Sequence, residues 1–215
     1  MHDNPTPTDN VFYPLDKGGE VFVHGRHLPH WKQASVTYFV TFRLGDSLPA
    51  GRLKAWKLEK EQWLKDHPRP WTNAENREHS RFFARVERWL DAGHGACFLA
   101  EACSQQIVAS SLKHFDGDRY ILDQFVVMPN HVHVLVRVQK AEDLTKVLHS
   151  WKSFTAHQLN RVLGRKGNVW QDESFDHIVR SVEQLEHFRA YIAKNPSRAR
   201  LSEGFLVGTG IGLTA

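Results

Sequence analysis

Ser35 to Leu44 (SVTYFVTFRL) crowds β-branched and aromatic residues together until Gly45 and Asp46 interrupt them, which predicts a strand. The period then changes. Leu53, Trp56, Lys60 and Trp63, and later Phe82, Val86, Trp89 and Leu90, recur at helical spacing, so helices are expected over 53–64 and 75–90, split by the breaker run 67–72. A short amphipathic helix is expected over 106–115, and Asp116-Gly117-Asp118 turns the chain into a strand over 119–128. After Pro129 and Asn130 comes HVHVLVRV (131–138). Positions 132, 134, 136 and 138 are all Val, whereas 131, 133, 135 and 137 are His, His, Leu and Arg, which predicts a strand with two unlike faces, the Val face being core. Leu144, Val147, Leu148, Trp151, Phe154, Leu159 and Val162 trace a long helix stopped by Gly164. A strand is expected within 169–179. A last helix is expected over 181–195, ended by Pro196 because proline disfavours helical geometry in the residue before it.

Helices interleaved with hairpin-linked strands predict an α+β fold, a ferredoxin-like antiparallel sheet with helices packed on it. The expected organisation is a flexible arm over 1–33, one domain over 34–201 with a helical insertion at about 50–92, and a tail over 202–215.

The 215 residues are 41% hydrophobic and 24% charged, ordinary globular usage that excludes a disordered or fibrous chain. A net charge of +4 gives a mild hint of a polyanionic partner. Cys97 and Cys103, with five residues between them, make neither a redox pair nor a disulfide framework and suit a reducing cytoplasm. No stretch approaches the ~18 apolar residues of a membrane span, and the N-terminus lacks a signal-like apolar run. A soluble, cytoplasmic protein is expected.

His131 and His133 stand two apart on a strand and project from one face, where two nitrogen donors can share a divalent metal; paired surface histidines fit the same pattern. On the last helix, Tyr191 and Asn195 are four apart and share the edge of the stripe formed by Val182, Leu185, Phe188 and Ile192. A boundary tyrosine and an asparagine near a helix end would look alike.

The segments VVMPNHVHVLV (126–136) and YIAKNP (191–196), with YFVTFRLGDSLP (38–49) and VWQDESFDHIVRSVEQL (169–185), resemble the REP-associated tyrosine transposases. These are an IS200-like branch of the HUH single-strand nuclease superfamily, and the resemblance runs from about Val36 to Leu201. It implies that His131 and His133 are metal ligands, Asn195 the third protein ligand and Tyr191 the nucleophile. The activity implied is nicking and strand transfer on single-stranded DNA beside a REP-type hairpin, with association with the nucleoid when bound. After Pro196 the chain departs from the family's usual Val and Ala-Gly-Leu continuation.

Two imidazoles and an amide oxygen suit Mg²⁺ or Mn²⁺ and leave positions open for a phosphate. Attack by Tyr191 would give a 5′-phosphotyrosine and a free 3′-hydroxyl, conserving the bond for rejoining. Lys146, Lys152, Arg161, Arg165, Lys166, Arg198 and Arg200 are candidate phosphate contacts. The rival readings are a non-catalytic hairpin-binding protein on the same scaffold and a hydrolase of small phosphoesters. A monomer or a homodimer is expected.

Overall fold

A computed structural model describes residues 22–24, 30–32, 36–139 and 143–211. Phe22–His24 (β1) and His30–Lys32 (β2) form a small antiparallel pair, and the remainder of the expected arm lies outside the described residues. The body runs Thr37–Arg43 (β3), Ala50–Asp66 (α1), Asn73–Asp91 (α2), a 3₁₀ turn at Phe98–Ala100, Ala102–Lys113 (α3), Tyr120–Val127 (β4), His131–Val138 (β5), Leu144–Val162 (α4), Phe175–Ile178 (β6), Val182–Arg198 (α5) and Leu206–Thr209 (β7).

The sheet order is β6-β3-β5-β4-β7, with every neighbouring pair antiparallel. Strands β3, β4, β5 and β6 are joined by a helical crossover, a hairpin and a second helical crossover, so the fold is α+β and ferredoxin-like. Strand β7 extends this sheet at the β4 edge.

Alternation on the strands divides the interior. Val132, Val134, Val136 and Val138 pack with Tyr38, Val40 and Phe42 of β3 and with α3 and α4, through Val108, Leu112, Val147, Trp151 and Leu159. The other face holds Phe39, Val126 and Leu135 beneath Leu185 and Ile192 of α5. A bulge in β4 between Leu122 and Phe125 shifts the alternation, so that Phe125 and Val127 join the first core and Val126 the second. Both faces of β5 are therefore covered, and the expectation that only the Val face is core is corrected: His131 and His133 are 0% exposed.

The α1–α2 hairpin and the turn before it have their own core of Leu48, Trp56, Trp63, Phe82, Val86 and Leu90. Its second helix starts with a capping box, Thr72 Oγ1 accepting from Glu75 N while Glu75 accepts from Thr72 N. This hairpin docks on the imidazole face. Phe83 meets Phe39 edge-on with centroids 6.3 Å apart, and Asn130 Nδ2 donates to the carbonyls of Leu90 and His94 at 3.3 and 2.9 Å.

Several boundaries differ from the sequence expectation, the helix expected over 106–115 running instead over Ala102–Lys113. The strand expected within 169–179 narrows to Phe175–Ile178, with Trp170 making a single bridge to Leu44. Helix α5 continues through Pro196 to Arg198, since a proline in the last turn removes only one backbone bond near a frayed end. The glycine-rich end pairs as β7, because Gly208 and Gly210 let it lie against Phe125 and the Leu122 carbonyl, where a Cβ would come within 2.4 and 2.0 Å respectively.

Candidate active site on the imidazole face

The β3–β5 ladder sets Thr41 opposite His133 and Arg43 opposite His131. The Nε2 atoms of His131 and His133 lie 3.0 Å apart, and each ring is pinned at its other nitrogen. Thr41 Oγ1 is 2.8 Å from His133 Nδ1, and Asn130 Oδ1 is 2.7 Å from His131 Nδ1. Because the Asn130 amide donors are committed to the Leu90 and His94 carbonyls, its oxygen faces the imidazole; His131 Nδ1 donates and Nε2 keeps its lone pair. Burial, reinforced by the neighbouring His133, pushes the His131 pKa well below that of an ordinary imidazole, so this ring is a neutral nitrogen donor.

Helix α5 brings in the phenol. Ser181 caps its first turn by accepting from Gln184 N, and Arg189 anchors it to β4 through Nε and Nη2 bonds of 3.0 and 2.6 Å to Asp123. Two residues beyond Arg189, the Tyr191 ring stands edge-on to His133 with centroids 5.3 Å apart and edge-on to Phe39 at 5.7 Å. One turn further on is Asn195, 0% exposed, with neither Oδ1 nor Nδ2 hydrogen-bonded among the described residues. An orphaned buried carboxamide carries a desolvation penalty unless another partner satisfies it.

The α1–α2 hairpin supplies a group that the sequence reading missed. Glu87, 2% exposed, accepts a hydrogen bond from the Tyr191 hydroxyl, and its Oε2 is 3.2 Å from His133 Nε2. Its other oxygen, Oε1, has no hydrogen-bond partner among the described residues. Asp91, one turn along α2, is raised above the usual carboxylate range by burial and by the Glu87 charge. Burial pushes the Tyr191 phenol strongly upward, the Glu87 charge and hydrogen bond and the Asp91 charge add to this, and Arg198 opposes it. The signal was there in α2: Phe83, Glu87 and Asp91 share a helical face beside the apolar stripe.

Among the described residues, no group of three or more His, Cys, Asp or Glu side chains is arranged to hold a metal ion. The set expected from sequence is different, two imidazoles and a carboxamide, and its chemistry fits a divalent cation: a pinned lone pair on His131, a second ring pinned by Thr41 and an orphaned amide at Asn195.

Of the seven basic candidates, Arg198 is brought to the phenol, its guanidinium carbon 4.7 Å over the Tyr191 ring. Lys152 is instead tied to the carbonyls of Gln171 and Asp172 at 2.6 and 2.7 Å, bracing α4 against the segment before β6. Arg161 bonds Gln158, and Arg165 stacks on Phe98 at 4.3 Å. Lys146, Lys166 and Arg200 are exposed.

Residues 98–195 match the family described as transposase IS200 like. The chain resembles the IS200-like transposases. The matched segment begins at the 3₁₀ turn, contains both histidines and Tyr191, and ends on Asn195; β3 and the α1–α2 hairpin lie outside it. Among solved structures, the chain is similar to a REP-associated tyrosine transposase bound to a REP hairpin, at 14% identity and a TM-score of 0.42, over 81% of this chain and 74% of that one. It is also similar to a transposase candidate from Deinococcus radiodurans R1, at 13% identity and a TM-score of 0.36, over 81% of this chain and 98% of that one. Comparison with the curated proteins gives no match. Among the described residues, no helix is long and apolar enough to cross a membrane.

Proposed function

We propose that the chain is a divalent-metal-dependent single-strand DNA endonuclease and strand transferase that works through Tyr191 on DNA of REP-hairpin type. The reading is supported above all by the meeting of the Tyr191 phenol and the His133 imidazole on one sheet face, 5.3 Å between ring centroids.

His131, His133 and Asn195 would hold a Mg²⁺ or Mn²⁺ ion. The ion supplies charge neutralisation at the phosphoryl oxygens. The rest of the chemistry belongs to the chain. Tyr191 Oη attacks phosphorus in line, an O–P bond to the phenol forms, and the bond from phosphorus to the 3′-oxygen breaks. The phenolic proton has an acceptor in the Glu87 carboxylate to which it is already bonded, and the departing oxygen takes up a proton to become a 3′-hydroxyl. The 5′-phosphotyrosine keeps the phosphodiester energy for rejoining. Arg198, stacked on the ring, favours the phenolate that develops. Phe39, stacked on Phe188 with centroids 4.3 Å apart, meets the phenol edge-on from the sheet side.

The test is incubation of the protein and Mn²⁺ with an end-labelled hairpin oligonucleotide carrying a single-stranded flank. A denaturation-resistant protein–DNA adduct and a shortened product are expected from the wild type. Tyr191→Phe should bind the same oligonucleotide and form no adduct. Wild-type adduct yield in that variant would remove the nucleophile assignment, and a gel shift with no shortened wild-type product would leave a binding protein only.

A further inference from the structure

Arg43 is the last residue of β3 and is the register partner of His131 on β5. Its side chain shares the imidazole face. Along β3, Phe39 lies in the core under α5 and Thr41 bonds His133, so the next residue in phase is Arg43. The residue is 2% exposed.

A guanidinium carries five N–H donors and stays charged. Among the described residues this one makes a single side-chain hydrogen bond, from Nη1 to Ser47 Oγ at 3.3 Å, and its buried Nε has no partner. It forms no ion pair with a described carboxylate. The opposing charge it feels is Glu173, and that carboxylate is already held by Lys57 at 2.8 Å. A buried cation with its donors unspent lowers the stability of a fold unless an anion completes it.

Lys60, on α1, repeats the pattern against the same carboxylate. Its ammonium lies 5.2 Å from the Trp56 ring centroid, burial pushes its pKa down to about 8, and the charge opposing that fall is again Glu173. Burial likewise lowers Arg43 to about 10. Two desolvated cations, Arg43 at the end of the strand next to the histidine pair and Lys60 on α1, therefore share one carboxylate that is engaged elsewhere.

We propose that Arg43 holds a phosphate of the bound DNA strand, seated beside His131, with Lys60 adding charge at the same margin. The proposal rests on the DNA-cleaving reading above. A planar fork with free donors matches two phosphate oxygens, and a phosphodiester brings the negative charge that Glu173 delivers incompletely. Held there, the backbone is fixed in register one strand away from the imidazoles, which positions the neighbouring phosphate for Tyr191.

The experiment is fluorescence anisotropy of a labelled single-stranded oligonucleotide with the full chain in chelator, over a salt series, alongside thermal unfolding. Arg43→Met should weaken binding about tenfold or more and lower the salt slope by about one, with an unfolding midpoint equal to or above that of the wild type. Arg43→Lys should bind with intermediate affinity and keep the slope. Wild-type affinity and slope in Arg43→Met overturn the proposal, as does a lowered midpoint with unchanged affinity. Should Arg43→Met not fold, Arg43→Lys decides: binding like the wild type overturns the proposal, and weaker binding supports it. Loss of affinity in Arg43→Met beside a wild type that forms no adduct would end the cleavage reading and keep the phosphate anchor. A wild type that binds no strand ends both.

Discussion

The Tyr191 hydroxyl donates to Glu87 Oε2, and that same oxygen lies 3.2 Å from His133 Nε2. One carboxylate from α2 thus touches both the phenol and the His133 imidazole.

Glu87→Gln keeps the shape and removes the charge. The Tyr191 phenol should then ionise at lower pH than in the wild type, because the neighbouring carboxylate is one of the causes of its upward shift. Ultraviolet titration of phenolate, with Tyr191→Phe subtracted to isolate the residue, reads this directly. An unchanged titration would mean that Glu87 does not govern the phenol.

His133→Ala should eliminate Mg²⁺-stimulated nicking and destabilise the fold by about 1–3 kcal/mol, since Thr41 Oγ1 loses a buried hydrogen-bond partner. Denaturant midpoints and nicking with and without chelator measure the two effects separately. Persistent Mg²⁺-stimulated nicking would count against the imidazole pair as ligands.

Gly210→Ala places a Cβ 2.0 Å from the Leu122 carbonyl and 2.7 Å from an Asp116 carboxylate oxygen. Neither neighbour is a free side-chain tip, as that carboxylate also accepts from Ile211 N. Strand β7 should loosen, with a loss of about 1–3 kcal/mol and faster hydrogen exchange at Leu206 and Gly208, whose register with Val127 and Phe125 turns their N–H groups toward β4. Unchanged exchange there would show that the strand end yields without leaving the sheet.

His79 and His177 both have pKa values pushed down to about 4, burial being the largest cause for each. Lys60, Arg69 and His177 add to the shift of His79; Arg180 adds to that of His177, where Asp176 opposes it. The unfolded chain takes up these protons near pH ~6.5, while the folded chain refuses them until about 4. Between those values the unfolded state binds more protons, so stability falls as pH falls through that window. Denaturant midpoints across it should show the decline, and His177→Asn should make it shallower. A slope identical to that of the wild type would exclude His177 as a contributor.

Much of this arrangement was legible because periodicity is a local property. HVHVLVRV announced a strand with its histidines on one side, and the four-residue spacing of Tyr191 and Asn195 put them on one helical edge. What could not be read was what covers the histidine side. That depends on α5 and α2 arriving from distant parts of the chain, 104 residues apart at the Tyr191–Glu87 contact. Glu87 reads by itself as one more acid on a charged helix, and Arg43 as the polar end of a strand; only the fold reveals that both are buried. Strand β7 was hidden for another reason. Its glycines signal a loop to local rules, whereas here they permit close approach to β4.

The phenol and the imidazoles meet within one polypeptide, with Arg189 and Asp123 clamping α5 to the sheet that bears them. On the proposed chemistry, every molecule is then a complete workshop with a single hook. It can hold one severed 5′ end at a time, so exchanging two ends calls either for successive turns by one molecule or for two molecules side by side, and the yield of trapped DNA should level off at one strand per chain.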